Sequence, residues 1–162
     1  MQEAWDDLNQ VEAAFGKMPG PHRLAMAAEL LEWTVANFRT PIADPVVSDL
    51  VARATATIRE AVGRGASTAT GQDGFTTALF EASEETEEVG AYELLVSLYL
   101  CFDDLDPEIR PDRLTTVFDQ CYQADLRRYS QPAIAVGDAR EITPREQAIL
   151  DFQRALINRY TG

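Results

Sequence analysis

The residues of this sequence whose types and spacing could do chemistry are nine of the ten acids between positions 81 and 108. They are Glu81, Glu84, Glu85, Glu87, Glu88, Asp103, Asp104, Asp106 and Glu108. Clustered carboxylates can bind metal ions, transfer protons in catalysis, or attract a basic macromolecule. Each of these roles needs particular companion residues, and the sequence can be checked for them.

The alternating acids that begin at Asp104 suggest a calcium-binding loop, but their spacing argues against one. Counting from Asp104, Asp106 and Glu108 occupy the third and fifth positions. The sixth position is Ile109, where an EF-hand needs glycine, and the twelfth is Thr115, where it needs glutamate. We therefore expect no metal ion at these residues.

The companions that catalysis needs are missing from the sequence. His22 is the only histidine, and no glutamate precedes it by three residues, which excludes the Glu-x-x-His pairs of di-iron bundles. No Gly-x-Ser-x-Gly elbow supplies a nucleophile. The glycine-rich segment 65–71 is followed by Gln72 and Asp73, whereas a phosphate-binding loop needs Lys and then Ser or Thr. We expect a protein that is not an enzyme and has no cofactor.

The charge of the chain is concentrated around the acids. Residues 72–112 contain twelve acidic side chains and one basic one, Arg110, a net charge of −11 within a total of −13. The same stretch contains apolar runs, which a disordered acidic tail lacks, so we expect these acids on a folded surface. Such a surface repels nucleic acid and anionic membranes and attracts a basic protein. The acids are therefore interpreted either as a partner-binding face or as a solvated face.

The segments that must position the acids are helical. Every long segment repeats its apolar residues with a period near 3.6, and none alternates with a period of two. The sequence predicts an all-α, compact bundle of six to seven helices that forms a single domain over residues 1–162. Flexible connectors are expected near residues 63–74 and 130–142. The pattern leaves open whether residues 83–104 form one helix or two.

Three local signals predict where helices begin. Asp44 followed by proline is typical of an N-cap and first helical position. Asp73 is expected to cap the next helix. Thr143 and Glu146 flank Pro144 in the pattern of a capping box, which predicts the start of the last helix.

The cysteines and the N-terminus indicate a cytoplasmic protein. Cys101 and Cys121 fall at apolar positions of helical patterns, which is typical of buried free thiols. The N-terminal residues lack the basic and then apolar pattern of a secretory signal. The longest apolar run, residues 94–102, is too short to span a bilayer, so we expect no membrane contact.

In size, acidity and helical content the chain resembles the immunity proteins of bacterial toxin systems, which neutralise toxins, often basic nucleases, by masking the active site. The resemblance implies a non-catalytic inhibitor that docks a basic protein partner through its acidic face. The alternative is a small-ligand-binding or regulatory domain with a pocket between helices. Its aromatic lining would be Trp33, Phe38, Tyr92, Tyr99 and Tyr122. The oligomeric state stays open.

Overall fold

The computed structural model describes residues 8–104, 106–129 and 143–161. Seven helices follow one another in these ranges: α1 (Leu8–Gly16), α2 (Gly20–Ala36), α3 (Pro45–Gly63), α4 (Phe75–Glu85), α5 (Ala91–Tyr99), α6 (Pro111–Tyr129) and α7 (Pro144–Thr161). The predicted all-α bundle of six to seven helices is confirmed. Within the same ranges, no helix is both long enough and apolar enough to cross a bilayer.

The core is built around α2. This helix packs against α3, α6 and α7, and its fully buried residues Leu24, Met26 and Leu30 point to more than one side of it. The helix α6 packs against α1, α2 and α5. The helix α4 lies at the edge of the bundle, where it packs mainly against α5. The outer face of α4 is therefore left to solvent.

Two of the three predicted helix starts are confirmed. Oδ1 of Asp44 accepts a hydrogen bond from the Val46 amide at 2.9 Å at the beginning of α3. Oγ1 of Thr143 accepts one from the Glu146 amide at 3.1 Å at the beginning of α7. Each bond satisfies an amide that has no partner inside its own helix.

The start of α4 differs from the prediction. Its N-cap is Gly74, with φ of +81°, and no side chain caps the helix, so the predicted cap at Asp73 is wrong. Glycine adopts the left-handed backbone conformation without steric cost. The chain therefore turns into α4 one residue after Asp73.

Residues 83–104 form two helices. The first, α4, ends at Glu85, and α5 begins after Gly90, which has φ of +84°. A Cβ atom at Gly90 would lie 2.6 Å from Cγ of Arg128 and 2.7 Å from the carbonyl oxygen of Ala124. Glycine is required here because the turn is left-handed and also touches α6.

The connector between α3 and α4 is packed at its centre. The Ala69 amide donates to the carbonyl of Cys101 at 2.9 Å, and the Asp103 amide donates to the carbonyl of Ala69 at 3.0 Å. Ala69 is fully buried. The flexibility of the connector near residues 63–74 stays a prediction. The other expected connector, 130–142, lies outside the described residues.

Candidate partner-binding surface

The nine predicted acids fall into two groups. The four at the outer edge are exposed, and within the described ranges they make no hydrogen bond or ion pair: Glu81, Glu84, Glu85 and Glu87. We call these four residues the α4 acidic surface. The remaining five bind neighbours within the protein. The structure thus places the free carboxylates on one helix and the turn after it.

Glu88 is held inside the fold. Its carboxylate accepts the backbone amides of Ala43 and Asp44 at 3.0 and 2.7 Å and pairs with Arg128 at 2.9 Å. Its side chain is only 16% exposed. Burial would raise the pKa of Glu88, but the hydrogen bonds from Asp44, Arg128 and Ala43 outweigh it and hold the pKa below the ordinary value. These bonds give Glu88 a structural role and leave it little capacity for a partner.

The acids after α5 also bind neighbours within the protein. Thr70 donates a hydrogen bond to Asp103, and Thr76 donates one to Asp104. The other two acids form ion pairs, Asp106 with Arg113 at 2.9 Å and Glu108 with Arg23 at 3.2 Å. These contacts connect the turn between α5 and α6 to the rest of the bundle. Across the described ranges, no three His, Cys, Asp or Glu side chains come together as a metal site.

Large apolar side chains are exposed beside the α4 acidic surface. Phe80 on α4, Val89 in the turn and Tyr92 on α5 are 54%, 58% and 53% exposed. One further large apolar residue of the described ranges is exposed, Val46, in the first turn of α3. Grouped apolar side chains that face water mark interaction sites in proteins.

Phe80 is exposed although it is a large apolar residue on the same helix as the buried Phe75 and Leu79. A signal for its exposure is present in the sequence. Adjacent residues lie about 100° apart on a helix. With Phe75 and Leu79 in the core, four residues apart, Phe80 points away from it.

A small cleft opens between α4 and α5 beside these residues. It has a volume of about 70 Å³, and six of its lining residues are Leu79, Phe80, Glu84, Tyr92, Leu95 and Tyr99. The rings of Phe80 and Tyr99 have centroids 6.5 Å apart and are tilted by 52°. Pockets for small ligands have volumes of about 300 Å³ or more. The cleft is therefore smaller than an ordinary small-ligand pocket.

The five aromatic residues of the small-ligand alternative lie in four different places. Tyr92 and Tyr99 line the cleft. The ring of Trp33 stacks on that of Phe152 with centroids 4.3 Å apart, and the ring centroid of Phe38 lies 4.8 Å from the guanidinium of Arg128. The Tyr122 hydroxyl donates a hydrogen bond to Glu146 at 3.0 Å. Packing inside the protein thus accounts for three of them. The remaining two lie beside the α4 acidic surface.

A larger groove lies elsewhere, between α1, the start of α2 and the end of α7. It has a volume of about 510 Å³, and its lining includes Lys17, His22 and Tyr160. Burial and a hydrogen bond to Glu29 raise the pKa of Tyr160 to about 12. None of the five aromatic residues of the small-ligand alternative lines this groove.

Comparisons of the chain with protein-family models, with curated proteins and with solved structures find no match.

Proposed function

We propose that this protein is a non-catalytic binding protein that docks a basic protein partner on α4 and α5. One observation carries the proposal: free carboxylates on α4 and in the turn after it lie beside exposed apolar side chains on α4, in the turn and on α5. The α4 acidic surface supplies negative charge, and Phe80, Val89 and Tyr92 supply apolar area. Protein interfaces combine these two features, with apolar anchors inside a polar rim.

A solvated face would explain the carboxylates but not the aromatic rings. Four glutamates on one edge keep a protein soluble without any partner. Phe80 and Tyr92, in contrast, expose apolar area to water, and burial of such area gains about 25 cal/mol of free energy per Å². A partner that covers both rings recovers this free energy. The combination therefore favours a docking surface.

The two kinds of residue would contribute to different steps of binding. Exposed carboxylates attract a basic partner from a distance and raise the association rate, an effect that salt screens. Buried apolar contacts mainly slow dissociation. An inhibitor that masks the basic active site of a toxin, as immunity proteins do, is the specific form of this function that we propose.

The test compares two charge-reversed proteins with the wild type. The surface variant carries Glu81→Lys, Glu84→Lys and Glu85→Lys, and Glu88 is left unchanged because it binds the backbone amides of Ala43 and Asp44 and pairs with Arg128. The control variant reverses three exposed acids on α3 and α7: Asp49, Glu60 and Asp151. Each reversal adds two charges, so both variants change the net charge from −13 to −7. Circular dichroism verifies that both remain helical.

The partner is captured from the native host, and its association rate with each protein is measured at increasing salt concentration. The surface variant is expected to lower the rate at low salt by about tenfold, whereas the control lowers it much less. Equal losses in the two variants would indicate attraction by net charge alone. A rate that neither variant changes would refute the proposal.

A further inference from the structure

The cleft between α4 and α5 has apolar walls and one free carboxylate. Leu79 and Leu95 lie beneath its floor and have no accessible surface, whereas Phe80 and Tyr92 at its rim are exposed. Glu84 is exposed and has no hydrogen-bond or ion-pair partner within the described ranges. The cleft therefore offers apolar contact, aromatic faces and negative charge within about 70 Å³.

We infer that this cleft binds one arginine side chain of the basic partner, an inference that rests on the proposed function. The methylene stem of arginine would lie against the accessible side chains of Phe80 and Tyr92. The planar guanidinium would stack on an aromatic ring and donate hydrogen bonds to Glu84. Lysine fits less well because its ammonium is a compact, strongly hydrated charge without a planar face.

An uncharged side chain would be disfavoured in this cleft. It would remove water from Glu84 without supplying a positive charge, and burial of a carboxylate without a partner is costly. A small metabolite is disfavoured by the volume, which is well below that of ordinary ligand pockets.

The fold itself contains the same arrangement. The guanidinium of Arg128 lies 4.8 Å from the ring centroid of Phe38 and also pairs with Glu88 at 2.9 Å. That of Arg53 lies 5.0 Å from the ring centroid of Phe75. In the cleft the aromatic ring and the carboxylate are present, and the arginine would come from the partner.

The probe for this site is N-acetyl-arginine amide, titrated into the full chain and followed by the backbone amide signals in nuclear magnetic resonance. The matched probes are the citrulline amide, which has the same length and no charge, and the lysine amide. The arginine probe is expected to shift the amides of Ser83, Tyr92 and Leu95. The citrulline probe should leave them unchanged, and the lysine probe should bind more weakly.

Two substitutions with the same loss of charge locate the site. Glu84→Gln is expected to weaken binding of the arginine probe by about threefold, the size of an exposed ion pair. Glu81→Gln is the control, since Glu81 is exposed on the same helix and does not line the cleft. Equal effects of the two substitutions, or equal binding of the citrulline probe, would overturn the inference.

The two proposals can fail separately. If the triple reversal slows association of a basic protein but the arginine probe shifts no amide of the cleft, the proposed function stands and the arginine site is wrong. If the probe enters the cleft but no basic protein docks, the proposed function is wrong while the cleft still recognises arginine. Tyr92→Ala should weaken probe binding, because it removes a ring from the cleft, and unchanged affinity would count against the inference.

Discussion

The carboxylate of Glu88 pairs with the guanidinium of Arg128 at 2.9 Å and thereby joins the turn after α4 to the end of α6. The same guanidinium donates to the carbonyl oxygens of Val89 at 3.1 Å and Thr40 at 2.7 Å. The pair thus connects three segments that are far apart in sequence. It also holds the turn that carries Glu87 and Val89 against α6.

The Glu88→Gln substitution is expected to lower the free energy of unfolding at pH 7 by about 1–3 kcal/mol, because it removes charge-assisted hydrogen bonds from partly buried groups. The pKa of Glu88 is lower in the folded protein than the ordinary value of 4.5. The ionised carboxylate therefore makes its full contribution to the free energy of unfolding above pH 4.5, and this contribution is lost as the pH falls through the lower pKa of the folded protein. Urea unfolding of both proteins at pH 7 and in acid measures the difference. It should shrink below pH 4.5, and a difference independent of pH would contradict the assigned ionisation.

The Gly90→Ala substitution is expected to destabilise the protein more than Gly74→Ala does. Both glycines precede a helix with positive φ, so alanine costs about 1–2 kcal/mol at either position. Only at Gly90 would the added Cβ collide with Arg128 and Ala124, because Gly74 has open space around it. Thermal and urea unfolding of the two variants give the comparison. Equal losses would show that α5 does not approach α6 this closely.

The Thr143→Ala substitution is expected to cost about 1 kcal/mol of unfolding free energy, the usual value for losing an N-cap side chain. The bond lost is the one that Thr143 accepts from the Glu146 amide at 3.1 Å. Thr116→Ala is the control, since that hydroxyl is exposed and bonds only a carbonyl of its own helix, that of Asp112. If Thr143→Ala changes stability no more than the control does, α7 begins at another residue.

Both thiols are expected to be unreactive in the folded protein. Cys101 and Cys121 are free and almost completely buried. Burial raises the pKa of Cys121 to about 12 and also raises that of Cys101, which suppresses the reactive thiolate at neutral pH. A thiol reagent such as DTNB should label both residues at once in denatured protein and only slowly under native conditions. Rapid labelling of either thiol in the native state would contradict this.

The sequence by itself determined the all-α fold class and the starts of α3 and α7. Apolar period and N-cap signals depend on residues within one or two turns of each other, so they can be recognised without knowing the packing. Asp44 and Thr143 cap α3 and α7 as expected. The cap expected at Asp73 was wrong because Gly74 provides the turn into α4 instead.

Only the tertiary structure decided which acids are free. Glu87 and Glu88 are adjacent and chemically identical, yet Glu87 is exposed, whereas Glu88 binds groups more than 39 residues away in either direction. The exposed rings of Phe80 and Tyr92 likewise depend on the edge position of α4 and on how α5 packs beside it. These contacts cannot be predicted from local sequence, because the hydrogen bonds and burial of a side chain depend on which distant segments pack against it.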